Sequence, residues 1–149
     1  MQAHNGRKSI RLKTYDYSQP GAYFITICTH DKKCLFGNIS DRQMNLNGIG
    51  SIVENEWLKT ASLRPNVELD VFVIMPNHIH GIIFIKNKDY KGEFKYASVN
   101  REQDVGGSKF KSPSKNIGAI VKGFKSAGTG CVNKSNRTPG KKLWQQNYW

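Results

Sequence analysis

Two histidines one residue apart, His78 and His80, lie inside the otherwise apolar stretch "VIMPNHIHGIIFI", Val73 to Ile85. Side chains alternate along a strand, so residues i and i+2 share a face and the two imidazoles can converge on one ion. Two imidazoles suit a divalent transition metal, and with oxygen ligands they also hold Mn²⁺ or Mg²⁺. An ion held by only two histidines keeps open positions, as a catalytic metal needs. Many such pairs are ordinary half-buried strand histidines. No other His, Cys, Asp or Glu stands at a zinc-like spacing to them, and His4 and His30 are distant, isolated and read as surface residues.

A metal of this kind beside a basic surface can polarise a phosphodiester oxygen for attack by water or a side-chain hydroxyl. The six tyrosines are candidates for that hydroxyl: Tyr15, Tyr17, Tyr23, Tyr90, Tyr96 and Tyr148. Spacing alone does not choose among them.

The charge distribution supports a polyanionic partner. The net charge is +12, and it is uneven. Residues 1–85 carry 9 Lys/Arg against 7 Asp/Glu, whereas residues 86–149 carry 14 against 4, with no acidic residue after Asp104. Lysine and arginine neutralise phosphates and release counterions, so nucleic acid is the expected partner. An anionic membrane surface is the competitor, but no basic amphipathic helix with Trp and Leu on one face supports it. The polar, basic N-terminus and the lack of any apolar run of about 18 residues place the expected location in the cytoplasm. Cys28, Cys34 and Cys131 have no CxxC spacing and read as reduced thiols.

The elements that must position the histidines can be read along the chain. Ala22–Thr29, "AYFITICT", is a strand after the Pro20–Gly21 turn. Lys32–Ile39 is a shorter strand, expected to form a hairpin with it through "HDK". Ile49, Ile52, Val53, Trp57 and Ala61 fall at helical spacing, with Glu54 and Glu56 off that stripe and Asn47 as N-cap. Val67–Met75 and Asn77–Ile85 are strands joined by a tight turn at Pro76–Asn77. Residues 86–113 are polar and charged, and read as a long mobile loop. Ile117, Ile120, Val121 and Phe124 restore helical spacing after a Ser114 cap, "GCVNKSNRTPGKK" reads as a loop, and "LWQQNYW" as a short final strand. With the short second strand set aside, the order is βαββαβ: an α+β, ferredoxin-like antiparallel sheet with two helices on one face.

"MPNHIHGIIFI" resembles the hydrophobe-His-hydrophobe-His-hydrophobe (HUH) signature of the single-tyrosine HUH transposases. "RKSIRLKTYDYSQPGAYFITICTHDKKCLFGNI", "RPNVELDVFVIMPNHIHGI", "NIGAIVKGFKSA" and "LWQQNYW" resemble the REP-associated tyrosine transposase branch of that family. The resemblance spans nearly the whole chain outside the loop around Glu93–Lys111. It implies one catalytic domain with the histidines on a central strand. They hold Mg²⁺ or Mn²⁺, and a tyrosine cleaves single-stranded DNA and transfers the strand through a 5′-phosphotyrosine link.

Carried over by position, the metal ligands are His78 and His80 and the nucleophile is Tyr148. The DNA is recognised through a hairpin and a short single-stranded guide. Lys115, Lys122 and Lys125 on the second helix, with Arg11 and Lys13 near the N-terminus, are the expected DNA contacts. The family includes monomers and domain-swapped homodimers. It also continues past the tyrosine into a helix that supplies a third metal ligand, and this chain stops at Trp149. A catalytically inactive hairpin- or single-strand-binding remnant is therefore the alternative.

Overall fold

Strand β5, His78–Ile85, is central in a three-stranded sheet, with a hydrogen-bonded neighbour on each side. In the computed structural model, which describes Leu12 and residues 14–86 and 116–148, β5 pairs antiparallel with β1, Gly21–Cys28, on one side. On its other side it pairs with β4, Val67–Met75, giving the order β1-β5-β4. The β4–β5 connection is the tight hairpin expected at Pro76–Asn77. A bulge between Leu69 and Phe72 shifts the register on β4.

Alternation divides the faces of β5. Ile79, Gly81, Ile83 and Ile85 are buried, while His78, His80, Ile82 and Phe84 are half-buried on the opposite face. The buried face carries α1, Gly48–Ser62, and α2, Ile117–Asn136. Trp57 of α1 lies directly on β5: a Cβ added at Gly81 would stand 2.5 Å from the indole Cζ2. Phe124 of α2 meets the same indole edge-on, with ring centroids 5.1 Å apart. Each fully buried side chain of this size contributes about 1.5–3 kcal/mol relative to exposure. This core is what fixes β5 and leaves the histidines on the side of the sheet opposite both helices, half-buried.

Both helices start on asparagine caps. Asn47 Oδ1 accepts from the Gly50 amide at 2.9 Å, as the sequence predicts. Asn116, rather than Ser114, caps α2 by accepting from the Ala119 amide at 2.8 Å. α2 also runs through all of "GCVNKSN", the first half of the stretch "GCVNKSNRTPGKK" that the sequence reads as loop. Gly128 and Val132 extend its buried stripe, and Gly128 faces the Trp144 ring. Packing against Trp144 thus overrides a segment of weak helix formers.

Three further expectations are corrected. Lys32–Ile39 does not pair with β1; His30–Lys32 is a 3-10 turn, and β2, Gly37–Ser40, pairs with β3, Gln43–Leu46. Glu56 is not on the solvent side of α1 but is buried, bonded to Lys59 Nζ at 2.7 Å and accepting from Cys131 Sγ at 3.5 Å. The final strand is reduced to a single bridge, Trp144 opposite Thr29. The His30 amide donates to the Leu143 carbonyl and the Gln145 amide to the Cys28 carbonyl, each at 2.9 Å. That bridge lies beside the β1 end of the sheet, so the ferredoxin-like order is kept with a minimal fourth strand. The loop expected over residues 86–113 lies outside the described residues, apart from Lys86. No described helix is long and apolar enough to cross a membrane.

Candidate metal centre and nucleophile segment

The β1–β5 register places Cys28 opposite His78 and Thr26 opposite His80. The two imidazoles stand edge to face, with centroids 4.6 Å apart and planes at 75°. Each has one ring nitrogen already engaged. His78 Nδ1 lies 2.7 Å from Asn77 Oδ1, and Asn77 Nδ2 donates to the Lys32 carbonyl at 3.2 Å. The Asn77 amide is thereby oriented, its oxygen can only accept, and His78 Nδ1 must carry the proton. The lone pair of His78 is left on Nε2. Burial, and then the neighbouring His80, hold the His78 pKa below the usual imidazole range, which favours the neutral ring a metal requires.

His80 Nδ1 lies 2.8 Å from Thr26 Oγ1. A hydroxyl both donates and accepts, so this contact fits a metal-binding His80, with Nδ1–H donating to Thr26 and Nε2 free. The donor chemistry therefore fits a divalent ion through two imidazoles. Among the described residues no group of three or more His, Cys, Asp or Glu completes the set.

Neither Thr26 nor Asn77 was singled out as functional by the sequence. Asn77 had a usable signal, since it precedes His78 directly. Thr26 had none, because its proximity depends on strand register.

Tyr148 is placed elsewhere. It packs half-buried against the core and lines a groove of about 860 Å³ between α2 and the C-terminal segment. Lys122 and Lys125 line the same groove, as do Lys141, Lys142, Trp144 and Gln146, but neither histidine does. The structure thus brings Tyr148 together with two of the lysines in the α2 groove and His78 together with His80 on the other face of the sheet, and the segment leading to Tyr148 is tied to Cys28, the register partner of His78, through the Gln145 amide.

Lys125 also differs from its expected position on an open polar face. Its ammonium donates to the Gln145 carbonyl and, at 3.3 Å, to the Gln146 carbonyl. In return its own carbonyl accepts from Trp144 Nε1 at 3.1 Å. Lys125 clamps the segment leading to Tyr148, while Lys122 is exposed. Arg11, Lys13 and Lys115 lie outside the described residues.

Comparison with known proteins bears on this geometry at two levels. No family model matches the chain. The structure of a REP-associated tyrosine transposase bound to a REP hairpin superposes with a TM-score of 0.56 at 15% identity, over 94% of this chain. The chain spans 60% of the length of that transposase. At that identity the likeness is one of fold. An uncharacterized protein of Haemophilus influenzae is 42% identical over 143 residues, covering 96% of this chain and 76% of that protein. The chain belongs to the same family as the Haemophilus influenzae protein, and it shares the antiparallel sheet with two helices of the superposed structure.

Proposed function

We propose that this protein is a transposase that cleaves and rejoins single-stranded DNA next to a hairpin, using His78 and His80 as metal ligands and Tyr148 as nucleophile. One observation carries the reading: two adjacent imidazoles on the open sheet face, one of them set by Asn77 with its Nε2 lone pair available. The shared fold, the four matching sequence blocks and the charge of +12 support it.

Mg²⁺ or Mn²⁺, if bound there, would supply Lewis-acid polarisation of the scissile phosphate. His78 and His80 would hold the ion, and Asn77 and Thr26 hold the rings. The Tyr148 oxygen attacks phosphorus and loses its proton. The P–O3′ bond breaks, and the 3′-oxygen leaves as a hydroxyl. Bond energy is retained in the 5′-phosphotyrosine, so a 3′-hydroxyl can later reverse the step. A phenol has a pKa near 10, and cationic groups around it favour the phenolate. At the histidine face the bound cation would supply that charge. Catalysis in this reading requires residues 145–148 to leave the α2 groove for the histidine face, or a second copy to supply its tyrosine.

The test is a denaturing gel of labelled hairpin oligonucleotides incubated with the protein and Mn²⁺. A protein-linked band is expected, absent with EDTA and absent for Tyr148→Phe. An adduct that survives Tyr148→Phe removes this tyrosine from the role. Cleavage that leaves free phosphate ends and no protein link indicates a water nucleophile instead. Salt-sensitive binding with neither product indicates an inactive DNA-binding remnant.

A further inference from the structure

An aromatic ring stands exposed beside the histidines. Phe24 of β1 pairs with Ile82, two residues along from the Thr26–His80 pair and on the same face. Its ring lies nearly parallel to the His80 imidazole, with centroids 5.5 Å apart and planes at 20°. Even so, 64% of Phe24 remains exposed. On the other side of β5, Val73 pairs with His80 and is 45% exposed. The polar pair is therefore flanked by apolar surface on both neighbouring strands.

Single exposed apolar residues are common and need no explanation. Phe24 differs in its placement. One side of the ring stacks on His80, and most of the residue stays exposed at a fixed distance from that candidate metal ligand. Phe24 is one strand over and two residues along from His80, with the ring centroids 5.5 Å apart. A nucleotide bridges that span when its phosphate is at the histidines and its base is over Phe24. Phe24 offers no hydrogen-bond donor or acceptor, so it cannot recognise a phosphate or a sugar hydroxyl. Stacking is the contact left to it, and every base has a π face. The strongly basic chain complements the phosphates on either side.

We propose that Phe24 is a stacking platform for an unpaired nucleobase, flanking the phosphate held at His78 and His80. This rests on the reading above that a DNA strand crosses this face. It adds a base-binding subsite that tolerates any sequence. The platform holds the strand in register with the histidines and leaves sequence choice to contacts elsewhere.

The test separates base from backbone and needs no metal. Fluorescence anisotropy in EDTA compares a twelve-nucleotide thymidine strand with a twelve-unit abasic strand carrying the same phosphates. The wild-type chain should favour the thymidine strand. Phe24→Ala should weaken thymidine binding roughly fivefold or more and leave abasic binding unchanged. Phe24→Trp should keep or raise the preference. If Phe24→Ala retains the wild-type ratio, or weakens both strands alike, the platform does not exist. A chain that forms no covalent adduct yet loses its base preference with Phe24→Ala overturns the proposed reaction and keeps this contact. A chain that forms the Tyr148 adduct while Phe24→Ala keeps its base preference does the reverse.

Discussion

Asn77 accepts a hydrogen bond from the His78 ring at 2.7 Å while its own amide nitrogen is spent on the Lys32 carbonyl. The turn of the β4–β5 hairpin thus sets the protonation of the first histidine on β5. Asn77 is itself held, because its carbonyl accepts from the Thr29 amide at 2.9 Å and the Thr29 hydroxyl at 3.0 Å. Partners of this kind orient a ligating imidazole, and losing one typically costs 10–100-fold in metal affinity. Asn77→Ala should therefore weaken Mn²⁺ binding by about that factor, measured by titration calorimetry. His78→Ala and His80→Ala should each abolish it. Wild-type affinity in Asn77→Ala means that the amide orients nothing.

Gly81 lies between the histidines and the core, one residue past His80 and beneath Trp57. A methyl group there would stand 2.5 Å from the indole, closer than any real contact allows. The indole is fully buried and held by Phe124. Overpacking of this kind costs about 1–3 kcal/mol. Gly81→Ala should lower the urea midpoint accordingly. Adding Trp57→Phe should recover part of the loss, because residues in contact are not additive. If the double variant is simply the sum of the two single losses, the clash is not the cause.

The sequence pattern reached the core of this arrangement for identifiable reasons. Strands β1, β4 and β5 are dense in β-branched and aromatic residues, α1 follows a clear apolar stripe, and His78 and His80 are an i, i+2 pair. The β2–β3 hairpin was not legible. Its turn, Asp41–Arg42, has φ values of 51° and 62°, left-handed at both positions, without the glycine that usually marks such a turn. The burial of Glu56 was hidden for a different reason. Its partner Cys131 is 75 residues away and belongs to a part of α2 that reads as loop. The Thr26–His80 contact is likewise a matter of register, across 54 residues.

The clamp at Lys125 predicts how the nucleophile segment moves. Its ammonium holds the Gln145 and Gln146 carbonyls, and the bridge to β1 adds two backbone hydrogen bonds. Hydrogen bonds from charged donors contribute about 1.5–3 kcal/mol when well placed. Lys125→Met should therefore raise amide exchange at Gln145 roughly tenfold, with α1 and β5 unchanged. Lys125→Arg, which keeps a cationic donor, should recover part of the protection. Unchanged exchange in Lys125→Met means that the Trp144–Thr29 bridge holds the segment alone.

Cys131 supplies the pH-dependent prediction. Cys131 is an exposed residue, yet partial desolvation of its thiol, and then the Glu56 carboxylate that accepts its hydrogen bond, push its pKa above the ordinary thiol range, with Lys59 and Lys134 opposing. A raised pKa means that the folded chain keeps this proton longer than the unfolded chain. The contribution to stability is present below the unfolded thiol pKa and declines as pH rises through the folded one. Reactivity follows the thiolate, so alkylation of Cys131 should lag at pH 8. Glu56→Gln removes the negative charge but not the partial desolvation, which is the larger cause. Its alkylation should therefore speed up by less than about tenfold, the change that one full pKa unit would give. Mass spectrometry of iodoacetamide-treated protein resolves the rate at this cysteine. A Glu56→Gln rate equal to wild type would show that the carboxylate does not reach the thiol in solution.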